Sequence, residues 1–115
     1  MLIPNDAKIY LYLPPTDMRK SIDTLSIMIV DLLKMNPASG HLFLFRNRSC
    51  NKIKALYYEP DCFTLWYRRL NKGRFVFPKN QEGNIEMSLE HFDWLLSSNK
   101  FTRLETIHAK HHHFC

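Results

Sequence analysis

Residues 41–79 read HLFLFRNRSCNKIKALYYEPDCFTLWYRRLNKGRFVFPK. Four short runs rich in aromatic and aliphatic residues, at 42–46, 53–58, 63–70 and 74–77, alternate with turn-forming residues. Residues 47–52 suit a hairpin loop, Pro60-Asp61 a turn, and Asn71-Lys72-Gly73 a second tight turn. Consecutive strands joined by such short connections run antiparallel, so the stretch predicts a β-meander. Alternation puts Phe63, Leu65, Tyr67 and Arg69 on one face of the third run and Thr64, Trp66 and Arg68 on the other. In the second run Lys52 and Lys54 share a face, opposite Ile53, Ala55 and Tyr57. The pattern predicts a sheet with one apolar side toward helices and one mixed, cationic side toward solvent.

Outward from this block, residues 8–13 (KIYLYL) alternate as a further strand, ended by Pro14-Pro15. Thr16 or Asp17 is the expected cap of a helix running to about Lys34, stopped by Asn36-Pro37. Met18, Ile22, Leu25, Ile29, Leu32 and Leu33 recur at helical spacing as its apolar face. Ile27 and Val30 project to the polar side, so either another part of the chain or a partner protein must cover them. Beyond a turn at Glu82-Gly83-Asn84 and a short extended piece at 85–87, Ser88 caps a second helix that buries Leu89, Phe92, Leu95 and Leu96. The expected fold is α+β: a single domain with an antiparallel β-meander of about four to six strands and two packed α-helices. Residues 1–100 form the domain, and 101–115 a histidine-rich tail.

Charge is distributed unevenly. The 41–79 block holds nine Lys or Arg and two acids, a net of +7, whereas the remaining residues hold seven bases and nine acids, a net of −2. Clustered positive charge among aromatics suits a nucleic acid or an acidic partner, although a solvated sheet can look similar. Trp66 and Tyr58, where exposed, would stack on bases.

Other chemistry is poorly represented. No apolar run approaches the roughly 20 residues of a membrane span, and the first ten residues do not read as a signal peptide. The three cysteines are widely spaced without a CxxC pair, which suits reduced thiols in a cytoplasm. Three glycines do not build a nucleotide-binding loop, and no cofactor is expected. Glu59 and Asp61 read as turn residues rather than metal ligands. His41 and Cys62, each at a strand start, are a candidate nucleophile pair, with no catalytic motif around them. His108, His111, His112 and His113 read as a solvated tail, so no metal site is expected.

Several blocks occur together in a familiar order: Thr16-Asp17-Met18-Arg19-Lys20, then SGHLFLFRNR at 39–48, KIKALYY at 52–58, LWYRRL at 65–70 and Gly73-Arg74-Phe75. Over roughly residues 4–98 the chain resembles the small accessory-protein family, called TnpB, of insertion sequence 66 elements. Ser21, Tyr58-Glu59, Pro60 and Cys62 depart from the family pattern but keep its polar, aromatic or turn character. The resemblance implies a non-enzymatic protein supporting DNA transposition, with a separate, larger transposase as partner. Joined to the charge pattern, it suggests binding of DNA, or of the transposase–DNA complex, through Arg46, Arg48, Lys52, Lys54, Arg68, Arg69, Lys72 and Arg74. Arg19 and Lys20 would extend that surface. The alternative is an adaptor that holds the transposase through Ile27 and Val30 without touching DNA.

Overall fold

The apolar run at 42–45 forms the middle strand of a five-stranded sheet. The computed structural model describes residues 6–77 and 84–97. Its strands are β1 (Ile9–Tyr12), β2 (Leu42–Arg46), β3 (Lys52–Glu59), β4 (Cys62–Arg69) and β5 (Asn84–Met87). Their order across the sheet is β4-β3-β2-β1-β5. The tight connections make β2–β3 and β3–β4 antiparallel, as the sequence predicts. β5 pairs antiparallel with β1, through Ile9↔Met87 to Tyr12↔Asn84. β1 and β2 pair in parallel, Ile9↔Leu42 to Tyr12↔Phe45, because the chain between them crosses over as a helix. The α+β class therefore holds, with one parallel pair added to the meander.

That crossover is α1 (Ile22–Met28), continued by a wider i→i+5 turn over Ile29–Leu33 and closed by Lys34 at φ 58°. Leu25, Ile29 and Leu33 are buried at every fourth position, a spacing that the wider turn keeps in line. Leu32, expected on this face, is exposed for the same reason. The helix begins later than the expected Thr16 or Asp17. Asp17 Oδ1 accepts the Arg19 N–H at 2.8 Å, and Lys20 N–H reaches the Asp17 carbonyl at 3.1 Å. These local bonds compete with helix formation and fold 17–20 as a turn. α2 (Leu89–Ser97) does start where expected: Ser88 Oγ accepts the His91 N–H at 3.0 Å. Phe92 and Leu95 are buried there, whereas Leu89 is exposed.

The sheet is covered on both sides, contrary to the expected cationic outer face. One face carries Ile9, Leu11, Leu42, Leu44, Ile53 and Ala55 under α2. The other carries Phe43, Phe45 and Leu56 under Leu25, Ile29 and Leu33. Residues 74–77, expected as a strand, cross the end of the sheet instead. Phe75 N–H donates to the Cys50 carbonyl at 2.7 Å, and the side chains of Phe75 and Phe77 are buried. Burying two phenylalanines outweighs a strand ladder on the edge of β4.

At the β3–β4 turn Glu59 pairs with Cys62 around Pro60-Asp61, and Asp61 sits at φ 75°. Proline followed by a left-handed residue is the type II pattern, which aspartate tolerates and β-branched residues do not. Asp61→Val should therefore lower the unfolding free energy by about 1–2 kcal/mol, whereas Asp61→Gly should match or slightly exceed the parent. Urea unfolding of the two variants beside the parent checks this.

Candidate nucleic-acid interface

The sheet topology gathers the basic residues at one end. β2 ends at Arg46, β3 starts at Lys52, and β4 ends at Arg69, with Lys52 directly opposite Arg69. Because β1 is parallel to β2, the segment after β1 arrives at this end too, and Thr16 N–H donates to the Arg46 carbonyl at 2.7 Å. The chain after β4 folds back, with Leu70 N–H on the Asn51 carbonyl at 2.8 Å. Segments 13–20, 46–52 and 68–75 thus meet, carrying nine Lys or Arg and a single acid, Asp17. The turn at the other end of β3 and β4 carries Glu59 and Asp61.

Asn47 organises the loop that presents Arg48. Its Oδ1 accepts from the Asn51 and Lys52 N–H groups at 3.1 and 3.0 Å, and its Nδ2 donates to Asn51 Oδ1 at 2.7 Å. Cys50 closes the loop at φ 57°. Arg48, Arg69, Lys72 and Arg74 are exposed, and Lys52 and Arg68 are half-buried. Arg68 and Arg69 leave opposite faces: the Arg68 guanidinium lies 5.9 Å from the Trp66 ring, whereas Arg69 shares the face of Lys52 and Tyr67. Like charges directly opposite each other, as Lys52 and Arg69 are, oppose folding.

Arg46 is not available at this surface. It is 9% exposed, and its Nε donates to the Leu13 carbonyl at 2.6 Å while Nη1 reaches the Asn47 carbonyl at 3.4 Å. Its guanidinium lies 5.9 Å from the Phe77 ring. Burial, with nearby Arg48, pulls its pKa below the usual arginine value. Sequence could not separate Arg46 from Arg48, because what distinguishes them is the parallel β1 delivering the Leu13 carbonyl. Lys54 is also engaged, with Nζ donating to the Lys20 carbonyl at 2.7 Å and lying 5.5 Å from the Tyr67 ring.

The exposure of the aromatic residues, left open by the sequence, follows from packing. Trp66 is half-buried and packs edge-on against Phe92, and Tyr58 packs edge-on against Phe63 at 4.9 Å. The exposed ring at the basic end is Tyr67, at 48%. Its alternation with Phe63 and Leu65 suggested core. Only its position near the end of β4 hinted otherwise.

Arg19 and Lys20 precede the helix rather than start it. Arg19 chelates Asp17, through Nε at 3.1 Å and Nη2 at 2.6 Å. These bonds hold the Asp17 carboxyl well below the usual carboxylate range and raise the Arg19 pKa. An open groove of ≈ 450 Å³ separates this turn from the 47–52 loop, lined by Thr16, Asp17, Arg19, Arg48, Ser49 and Lys52 among others. Ile27, on α1, and Val30, in the wider turn that continues it, stay 59% and 50% exposed, so among the described residues none covers them.

Among the described residues no group of three or more His, Cys, Asp or Glu could hold a metal ion. Cys62 starts β4 and His41 immediately precedes β2, with β3 between those strands, and His41 Nδ1 accepts the Lys8 N–H at 3.0 Å. The 101–115 tail, with its histidines and Cys115, lies outside the described residues, as does Lys79. No helix among the described residues is long and apolar enough to cross a membrane.

A small α+β domain with one strongly cationic end is the class this geometry defines. The family model described as "IS66 Orf2 like protein" matches residues 7–106, and the chain belongs to that family of insertion-sequence accessory proteins. Two relatives come from Sinorhizobium fredii (strain NBRC 101917 / NGR234). Uncharacterized protein y4hO is 34% identical over 92 residues, 80% of each chain. Uncharacterized protein y4jC is 29% identical over 91 residues, 79% of this chain and 78% of its own. No solved structure matches the chain.

The buried bonds of Arg46 make it a structural residue. Arg46→Leu should lower the unfolding free energy by about 1–3 kcal/mol, because the Leu13 carbonyl loses a charged donor. Chemical denaturation of the purified variant measures the loss.

Proposed function

We propose that this insertion-sequence accessory protein supports transposition by binding DNA, alone or with the transposase, through the basic end of its sheet. The gathering of three separate basic segments at that end, with Asp17 as their only acid, supports this reading. Phosphate contacts suit Arg48, Lys52, Arg69 and Lys72, whose side chains reach solvent at or beside the 47–52 loop. Arg68 widens the surface toward the α2 side, and Arg19 and Lys20 toward α1, with Arg74 exposed on the segment after β4. Arg46 serves this surface indirectly, by fixing the loop that carries Arg48. Tyr67 is the aromatic ring open to a base or sugar. The proposed contacts are to backbone phosphates, which carry no base sequence. The Kd of such binding is on the order of 10⁻⁴ to 10⁻⁶ M at physiological salt.

Fluorescence anisotropy on labelled duplex over a salt series tests the proposal. Arg48→Gln with Arg69→Gln should weaken binding and flatten the logarithmic salt slope by roughly 0.9 per lost phosphate contact. Glu59→Gln, at the acidic end, should leave it unchanged. No binding by micromolar protein at low salt would overturn the proposal.

A second reading, an adaptor that holds the transposase without DNA, draws on Ile27 and Val30. They lie three residues apart, Ile27 on α1 and Val30 in the wider turn that continues it, both exposed and apolar. It predicts nuclease-resistant co-purification with the transposase, lost in Ile27→Asp and Val30→Asp while thermal unfolding is unchanged. Complexes that survive both substitutions would rule it out.

A further inference from the structure

One long edge of the sheet is open. β4 is the outermost strand on its side, and its eight residues pair with β3 without a bulge. The tight turn between Glu59 and Cys62 sets the direction of its backbone groups. Cys62, Thr64, Trp66 and Arg68 bond to β3, while Phe63, Leu65, Tyr67 and Arg69 point their N–H and C=O groups outward. Leu70 keeps this alternation, its N–H reaching the Asn51 carbonyl at 2.8 Å. Among the described residues none takes up the outward row, because the segment that follows crosses the end of the sheet instead.

Sheet edges are usually blunted by shortness, proline, a bulge or a central charge. The other edge follows this rule: β5 has four residues and carries Glu86, which lies 3.9 Å from Lys8. β4 has neither proline nor charge from Cys62 to Tyr67. Phe63, Leu65 and Trp66 are only half-buried there, and Tyr67 is exposed. An apolar edge of this length is a template for another strand.

We infer that β4 is the docking edge for a second copy of this chain, paired antiparallel about a twofold axis at Leu65. Charge complementarity singles out a second copy. The turn before β4 carries Asp61, and the end of the strand carries Arg68 and Arg69; neither Asp61 nor Arg69 has an ion-pair partner among the described residues. Antiparallel self-pairing brings the acidic end of each copy to the basic end of the other, twice over. With the axis at Leu65, Asp61 lies alongside Arg69 of the second copy, Phe63 opposite Tyr67, and Leu65 opposite its own counterpart. All of these strand residues have outward backbone groups, so the register also matches donors with acceptors. Phe63 and Leu65 border the cluster on the phenylalanine face, which the second copy then extends across the axis. Parallel pairing would instead set Arg69 beside Arg69. The inference does not depend on DNA binding, although the pairing takes up part of the Tyr67 ring. The two cationic ends come to lie on opposite rims of one continuous sheet.

Sedimentation equilibrium of the nuclease-treated full chain, from low micromolar to several hundred micromolar, should show one copy passing to two. Hydrogen exchange should then show the Phe63, Leu65 and Tyr67 amides gaining roughly tenfold protection at the high concentration. The Thr64 and Trp66 amides, already bonded to β3, should change little. Arg69→Glu separates pairing from folding. Within the chain it relieves the repulsion with Lys52, so the melting temperature at low concentration should hold or rise. Between copies it meets Asp61, so the dimer should weaken roughly tenfold. A chain that stays monomeric throughout would overturn the inference, and so would a dimer indifferent to Arg69→Glu. A dimer whose Phe63, Leu65 and Tyr67 amides exchange as fast as in the single copy would also overturn it, by placing the contact elsewhere.

Discussion

Everything in this fold hangs on β2 being buried on both faces. Leu42 and Leu44 face one cluster, Phe43 and Phe45 the other, and all four are essentially inaccessible. A strand in that position needs cover on two sides and a neighbour along each edge. β3 supplies one edge through a short hairpin, and β1 supplies the other through a helical crossover. α1 and its wider final turn then cover the phenylalanine face, while α2 and the 75–77 segment cover the leucine face. The strand's last residue, Arg46, is buried as well, and its guanidinium ties the end of β1 to the end of β2 through the Leu13 carbonyl.

That constraint also creates the charged end. With both faces of the sheet occupied, cations placed near strand ends have no room over the faces and emerge at the rim. The parallel β1–β2 pair brings the 13–20 segment to the same rim as the β2–β3 loop and the end of β4. Lys52 opposite Arg69 works against folding there, and so does the unpaired hydroxyl of Thr16. The opposite rim carries Glu59 and Asp61, so the molecule is electrically polarised along its strands.

The uncovered side of α1 is a separate matter. Ile27 and Val30 belong to the same helix whose Leu25 and Ile29 seal the core, so the element serves two surfaces at once. The basic rim and this apolar pair are compatible with one protein touching DNA and a protein partner together.

Much of the fold was legible in the sequence. Leu42–Arg46 was readable to the residue, the β3 and β4 spans nearly so, and Ser88 as the cap of α2, because alternation, turn residues and caps are local properties. The charge of the 41–79 block was equally visible. Tertiary structure decided the rest. It turned β1 parallel, since pairing direction depends on the path of the crossover. It pulled Phe75 and Phe77 off the edge of β4 into the core, since burial of two rings outweighed a ladder. It withdrew Arg46 and Lys54 from the surface, put Tyr67 there in place of Trp66, and joined Thr16 and Arg19 to the loop of Arg48. Sequence determines which residues carry charge. Only long-range pairing decides which of those charges face solvent side by side, because residues 33 apart become neighbours through the sheet alone.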